Sequence, residues 1–105
     1  MAEHLNEGDS RSRSVTLQSA GRHDDLFYSA MAAAADLAQK ETATRAEFQQ
    51  WADQFTCDHP LYIGFQVEVV RKVFNSQGDR LGWSCEMSIR LDAEVTCGPI
   101  ENPGL

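Results

Sequence analysis

The feature that most constrains the fold is a strict alternation of apolar and polar residues over residues 81–95. Every odd position is apolar, and every even position between them is polar or glycine. The apolar set is Leu81, Trp83, Cys85, Met87, Ile89, Leu91, Ala93 and Val95. A period of two over this length is typical of a β-strand with one buried face and one face in water. We therefore expect a long strand whose odd-numbered side chains contribute to the core.

A second alternating segment precedes the first and predicts a β-hairpin. Its apolar positions are Ile63, Phe65, Val67, Val69 and Val73, with Arg71 as the exception. The intervening Asn75-Ser-Gln-Gly78-Asp79 has asparagine first and glycine fourth, which favours a type I turn followed by a G1 bulge. This turn pairs Asn75 with Asp79 and fixes the register of the two strands.

The predicted register makes specific pairs across the hairpin. It places Arg71 opposite Trp83, where the guanidinium can lie on the indole ring. It also places Glu68 opposite Glu86 on the face in water, where two like charges repel each other. We interpret the first pair as a structural contact and the second as repulsion tolerated on a solvated face, with an acidic partner surface as the alternative.

Two helices are predicted before the hairpin. Residues 24–40 have acidic residues in the first turn and the apolar stripe Phe27, Met31, Ala34 and Ala38. Thr44 and Glu47 have the spacing of a capping box, which marks the start of a second helix. The link 41–43 is short, so we expect an αα-hairpin.

These elements predict an α+β fold in which the αα-hairpin packs on one face of the antiparallel β-hairpin. Residues 15–17 are a candidate third strand. Residues 1–14 are predicted to be a disordered arm, residues 15–97 a single domain and residues 98–105 a loose tail. The predicted core consists of Phe27, Met31, Phe48, Trp51, Phe55, Phe65, Val67, Val69, Cys85, Met87, Ile89 and Leu91.

Composition narrows the classes of partner. The 105-residue chain has 16 acidic and 9 basic residues, a net charge of −7, so DNA and anionic membranes are poor electrostatic matches. Neither a membrane-spanning apolar stretch nor a signal peptide is recognisable. Three cysteines do not form a secreted disulfide pattern, and we expect a cytoplasmic protein without a cofactor.

One cluster of soft ligands is predicted at the open end of the hairpin. Extending the register brings Cys57, His59 and Cys97 together, and Asp58 is the nearest candidate for a fourth zinc ligand. The spacing does not match a standard zinc motif. We expect two neighbouring free thiols, with a Cys57–Cys97 disulfide under oxidising conditions and zinc as the least favoured alternative.

No catalytic motif is present in the sequence. It contains no phosphate-binding glycine loop, no nucleophile elbow and no HExxH. Our first hypothesis is therefore a small acidic, non-enzymatic regulatory protein that binds a protein with a basic surface, such as a phage-type inhibitor of a host factor. Its predicted contact residues are acidic residues of the helical half: Asp36, Glu41, Glu47 and Asp53.

The alternative hypothesis is a small-molecule-binding or enzymatic domain with its pocket at a dimer interface. The candidate pocket residues are Tyr28, Trp51, Tyr62, Arg71 and Trp83. A strand of this length in so small a sheet leaves long unpaired edges, which are sites of association. We therefore expect a homodimer completed by edge pairing or by shared apolar faces.

Overall fold

A computed structural model describes residues 2–78 and 81–98 and shows a mixed α+β fold. In chain order the elements are β1 (Glu3–Leu5), β2 (Ser10–His23), α1 (Leu26–Ala52), β3 (Phe55–Cys57), β4 (Leu61–Ser76) and β5 (Trp83–Cys97). The three long strands form an antiparallel sheet in the order β2–β5–β4, and β1 pairs with β3 in parallel. The predicted α+β class, the hairpin and the third strand are confirmed.

The alternating segment forms the central strand of the sheet. The side chains of Cys85, Ile89 and Leu91 are buried beneath α1, as their odd positions predict. The even positions carry polar side chains on the opposite, open face. Val15 and Leu17 face the same side as the buried residues of β5, because they pair with Leu91 and Ile89.

The N-terminal segment is ordered, contrary to the predicted disordered arm over residues 1–14. Leu5 is buried, with β1 paired to β3, and β2 begins at Ser10. Polar side chains misled the prediction, because β2 presents serines to the open face and needs few apolar residues. Of the predicted loose tail, residues 99–105 lie outside the described residues.

The predicted αα-hairpin is wrong, because a single 27-residue helix spans both predicted helices. The Thr44 hydroxyl donates to the Lys40 carbonyl at 2.8 Å instead of capping a new helix. Thr42 donates to the Ala38 carbonyl in the same manner, at 3.0 Å. No glycine or proline lies in the link 41–43, so the helix continues through it.

The predicted hairpin register is displaced by four residues. Val69 pairs with Ile89, whereas the predicted turn required Cys85. The connection is longer than predicted: the Gln77 amide donates to the Gly82 carbonyl at 2.9 Å. Gly78 and Gly82 adopt positive φ values of 97° and 82°, which favour glycine.

The observed register replaces both of the pairs predicted across the hairpin. Glu68 pairs with Arg90, and their side-chain charges lie 4.0 Å apart. Glu68 is therefore not opposite Glu86, and the predicted repulsion between them is wrong. A β-bulge at Val70 shifts the following residues to the other face, and Arg71 pairs with Ser88 on the open side. The predicted stacking of Arg71 on Trp83 is therefore wrong.

The helix lies over β2 and β5 and barely touches β4. It approaches β2 closely at Gly21, where an added Cβ would overlap the backbone of Ser29 and Ala33. Phe48, Cys85, Ile89 and Leu91 are buried as predicted, and Trp51, Phe55, Phe65 and Met87 are half-buried. The other four predicted core residues are exposed, and they are Phe27, Met31, Val67 and Val69. The rest of the core consists of residues that were not predicted to be in it, and several of them are small: Leu5, Ala33, Leu37, Ala52, Ala93, Val95 and Cys97.

Across residues 2–78 and 81–98, the structure contains no helix with an apolar stretch of the length that crossing a lipid bilayer requires.

Candidate functional site

The first part of the candidate site is an apolar stripe on α1 that leaves the sheet. Phe27, Met31, Ala34 and Ala38 follow a 3.5-residue repeat that continues through Glu41 and Arg45 to Phe48 and Ala52. A straight helix drifts by about 20° per heptad relative to such a repeat. Phe48 and Ala52 at the C-terminal end of the stripe are therefore buried against the sheet, whereas Phe27 and Met31 are 67% and 51% exposed.

The second part is the helix-facing side of β4. Val67 and Val69 point to the side of the sheet that carries α1, since they pair with Leu91 and Ile89. They are nevertheless 44% and 60% exposed, because one helix covers only β2 and β5. The sheet is too wide for its single helix.

One contact joins α1 to β4, in the C-terminal half of the helix. The guanidinium carbon of Arg45, which belongs to the α1 stripe, lies 4.9 Å from the ring centroid of Phe65 in β4. Glu41 holds that guanidinium with an Nη2-to-Oε1 distance of 2.9 Å. We call the exposed surface formed by Phe27, Met31, Ala34, Val67 and Val69 the apolar face. Lys72, which pairs with Met87, lies beside it on the same side of β4.

Two features of the sequence point to this surface, and the predicted core used neither of them. A 3.5-residue repeat on one side of a helix is the spacing with which one helix packs along another. One helix also covers roughly two strands, because strands lie about 4.8 Å apart and a helix is about 10 Å wide. Once α1 is a single helix, the third strand must be left uncovered.

The four predicted acidic contact residues do not lie on one side of the helix. Asp36 accepts a salt bridge from Lys40 at 2.9 Å, and Glu41 from Arg45 at 2.9 Å. Asp53 follows the end of α1 and accepts from Gln49 at 3.3 Å, while Glu47 is exposed. The structure therefore spreads these carboxylates around the helix and pairs half of them with cations.

The salt bridge of Asp36 affects its titration. The hydrogen bond from the Lys40 ammonium holds the pKa of the Asp36 carboxyl below its ordinary value, because the bond favours the charged form. Lys40 also donates to the Gln18 carbonyl at 2.7 Å. The second contact joins one flank of α1 to β2, on the side away from the apolar face.

The five candidate pocket residues are separated in the single chain. Tyr28 and Trp83 lie at one end of the sheet, where both neighbour His23. Trp51 and Tyr62 lie at the opposite end, and Arg71 is on the open face. The predicted pocket is therefore not assembled within residues 2–78 and 81–98 of one chain.

A shallow depression of about 640 Å³ lies on the open face instead. It exists because Gly64, opposite Glu94, has no side chain to fill the surface. Tyr62 and Gln66 border it along β4, and Ser12 borders it from β2. It is open and carries none of the other predicted pocket residues.

Cys57 and Cys97 are brought together as predicted. They form a disulfide, with 5.9 Å between their Cα atoms, where free thiols had been expected. His59 is nearby, and its backbone amide donates to the Cys57 sulfur at 3.2 Å. The structure shows no group of three potential ligands able to hold a metal ion within the described ranges.

Comparison with models of known protein families, with curated proteins and with solved structures found no match for this chain.

Proposed function

We propose that this chain is a non-enzymatic binding protein that acts through protein–protein contact, with the apolar face as its contact surface. The observation that carries the proposal is the exposure of Phe27, Met31, Val67 and Val69 on the side of the sheet where the core lies. Monomeric soluble proteins rarely expose contiguous apolar patches of more than a few hundred Å². Such a surface is typical of a protein interface.

The chemistry of the apolar face supports the same function. Aromatic residues and methionine are enriched in the cores of protein interfaces, and acidic residues are depleted there. None of the five residues of the face is acidic, and the acidic residue that continues the stripe, Glu41, forms a salt bridge with Arg45. The acidic residues lie outside the face, so the attraction of the net charge of −7 for a basic partner acts outside this surface.

The predicted roles that go further than this stay predictions. A phage-type inhibitor of a host factor is one form of the proposed function. A direct contact through Asp36, Glu41, Glu47 and Asp53 is another, and two of those carboxylates would first have to leave their salt bridges.

Affinity capture from cells of the native host tests the proposal. The double variant Met31→Gln/Val69→Thr removes apolar surface without changing charge and keeps a good helix former and a β-branched residue in place. We expect it to capture at least about tenfold less of each specific partner than the wild type does. A tenfold loss of affinity corresponds to about 1.4 kcal/mol of binding free energy.

The matched control is Gln66→Thr, an exposed position of β4 on the open face. It should capture the wild-type amount of each partner, as quantified by mass spectrometry of the bound fraction. Equal capture by the wild type and the double variant would contradict the assignment of the contact to the apolar face.

A further inference from the structure

We infer that the apolar face is covered by a second copy of this chain, whose α1 lies beside the first α1 and above β4. The inference rests on the proposed function, because it names the partner of the same surface. It goes further by committing to one occupant and to one arrangement.

The dimensions of the fold leave room for one helix at this place. Because α1 rests on β2 and β5, β4 lies about one and a half strand spacings, or about 7 Å, to its side. Two packed helices lie about 8–10 Å apart. A second helix beside α1 therefore falls over β4, where it would cover Val67 and Val69.

The stripe on α1 has the form of a helix–helix contact. Its 3.5-residue repeat keeps the same side of the helix against a neighbour over several turns. Ala34 and Ala38 allow the two backbones to approach, while Phe27 and Met31 supply large apolar side chains. The same stripe on two copies makes a contact in which both contribute the same surface, as in most homodimers.

The side of α1 that points away from its own sheet can cover β4 of the other copy. In the second copy, the side of α1 opposite its own sheet would rest on β4 of the first copy. That side carries Tyr28 and Ala35, and Tyr28 is 52% exposed. The Tyr28 ring packs against Phe27 at 5.7 Å between centroids, so both rings are held at the edge of the face.

The size of the surface and the shape of the chain agree with this occupant. The large side chains of the face, together with Tyr28, present on the order of 600 Å², and a standard interface buries about 800 Å² per partner. The Ala-rich side of α1 supplies further area. The chain measures 62 × 35 × 15 Å, so its smallest dimension is only one sheet and one helix thick. A second copy would add the missing layer.

The charges beside this contact are few. Lys72 lies on the helix-facing side of β4, where it pairs with Met87, and its ammonium nitrogen is 5.5 Å from the Phe74 ring centroid. Two copies with a net charge of −7 repel each other at long range, but salt screens exposed charges beyond about 8 Å at physiological ionic strength. Glu41, the acidic residue of the stripe, is paired with Arg45 at 2.9 Å. Lys40 and Asp36 pair on the opposite flank.

Light scattering coupled to size exclusion tests the inference on the full chain. We expect the wild type to have about twice the chain mass of 11.7 kDa at micromolar concentration. Ala34→Glu places a charge at the centre of the seam and should shift the protein to the monomer. The matched control Ala43→Glu lies half a turn around the helix at another exposed alanine and should remain a dimer.

Circular dichroism keeps the test interpretable, since Ala34→Glu should retain the wild-type helix signal. A wild-type monomer at high micromolar concentration would overturn the inference, and so would a dimer that Ala34→Glu leaves intact. The proposed function is decided separately. If a monomeric wild type loses its captured partners through Met31→Gln/Val69→Thr, the function stands and only the second copy is rejected; if capture is unchanged, both fail.

Discussion

At the scale of single residues, the bulge at Val70 settles the role of the one charged side chain that interrupted the apolar pattern of β4. Without the bulge, Arg71 would continue on the side of Val69, beneath or beside α1. With it, Arg71 pairs with Ser88 on the open face, where water solvates its charge. The interruption in the sequence was therefore a signal for a bulge and not for a cation–π contact.

Gly21 is the residue on which the distance between α1 and β2 depends. A methyl group at this position would overlap the Ser29 carbonyl oxygen and the Ala33 amide nitrogen. We expect Gly21→Ala to lower the free energy of unfolding by about 1–3 kcal/mol, because the helix must move away from the sheet. Urea unfolding followed by circular dichroism measures the change.

Gly64→Ala provides the control for that substitution. Gly64 lies in β4 with no atom within 4 Å of an added Cβ, so the methyl group meets open space. Its stability should stay at or slightly above the wild-type value, since alanine restricts the unfolded chain more than glycine does. A Gly21→Ala protein as stable as Gly64→Ala would show that the close helix–sheet contact is not what the structure indicates.

At the scale of elements, the helix was the least predictable part of the fold. The Thr44–Glu47 spacing has the form of a capping box, but the same residues are compatible with the interior of a helix when threonine donates to the carbonyl four residues earlier. The true start is at Asp25, which accepts from the Phe27 and Tyr28 amides at 2.8 and 3.2 Å. The local sequence marks both Asp25 and Thr44 as possible helix starts. Only the structure shows that the helix continues through Thr44.

The short elements depend on the disulfide between β3 and β5. The bond closes a separation of 40 residues, which in the chain-entropy model stabilises the fold by about 4 kcal/mol. We expect the Cys57→Ser/Cys97→Ser variant and the wild type in reductant to have a free energy of unfolding lower by about this amount. Both should therefore unfold at a lower urea concentration. Alkylation without reductant should label no cysteine in the folded protein, because Cys85 is buried, and only Cys85 after unfolding.

An unchanged urea midpoint in reductant would contradict the contribution of this bond, and three labelled thiols after unfolding without reductant would contradict its presence. The outcome also bears on the predicted cytoplasmic localisation, which stays a prediction. Disulfides persist mainly in oxidising compartments, so a fully reduced protein would agree with it better than an oxidised one.

At the scale of the whole molecule, the shape of the single chain is its least usual property. The radius of gyration is 18.8 Å, compared with about 13 Å for a compact domain of 100 residues. Long strands and one helix spread the chain into a thin plate. A core of this kind buries one side of the sheet only in part.

Small-angle X-ray scattering of the monomeric variant Ala34→Glu measures this shape. We expect a radius of gyration close to 18.8 Å, because Ala34 is exposed in the single chain and its substitution leaves the elements in place. A value of about 13 Å would mean that the single chain folds more compactly and covers β4 itself. That result would remove the physical basis of the apolar face.

The sequence by itself determined the long strands, the buried and open faces of β5, the antiparallel hairpin and the proximity of Cys57 to Cys97. Each of these follows from a local period or from the chain order. The tertiary structure decided the register, because a displacement of four residues leaves every side chain of β4 before the bulge at Val70 on the predicted face. It also decided which side of α1 is buried: the small residues Ser29 and Ala33 pack closely on the sheet at Gly21, which leaves the larger Phe27 and Met31 exposed.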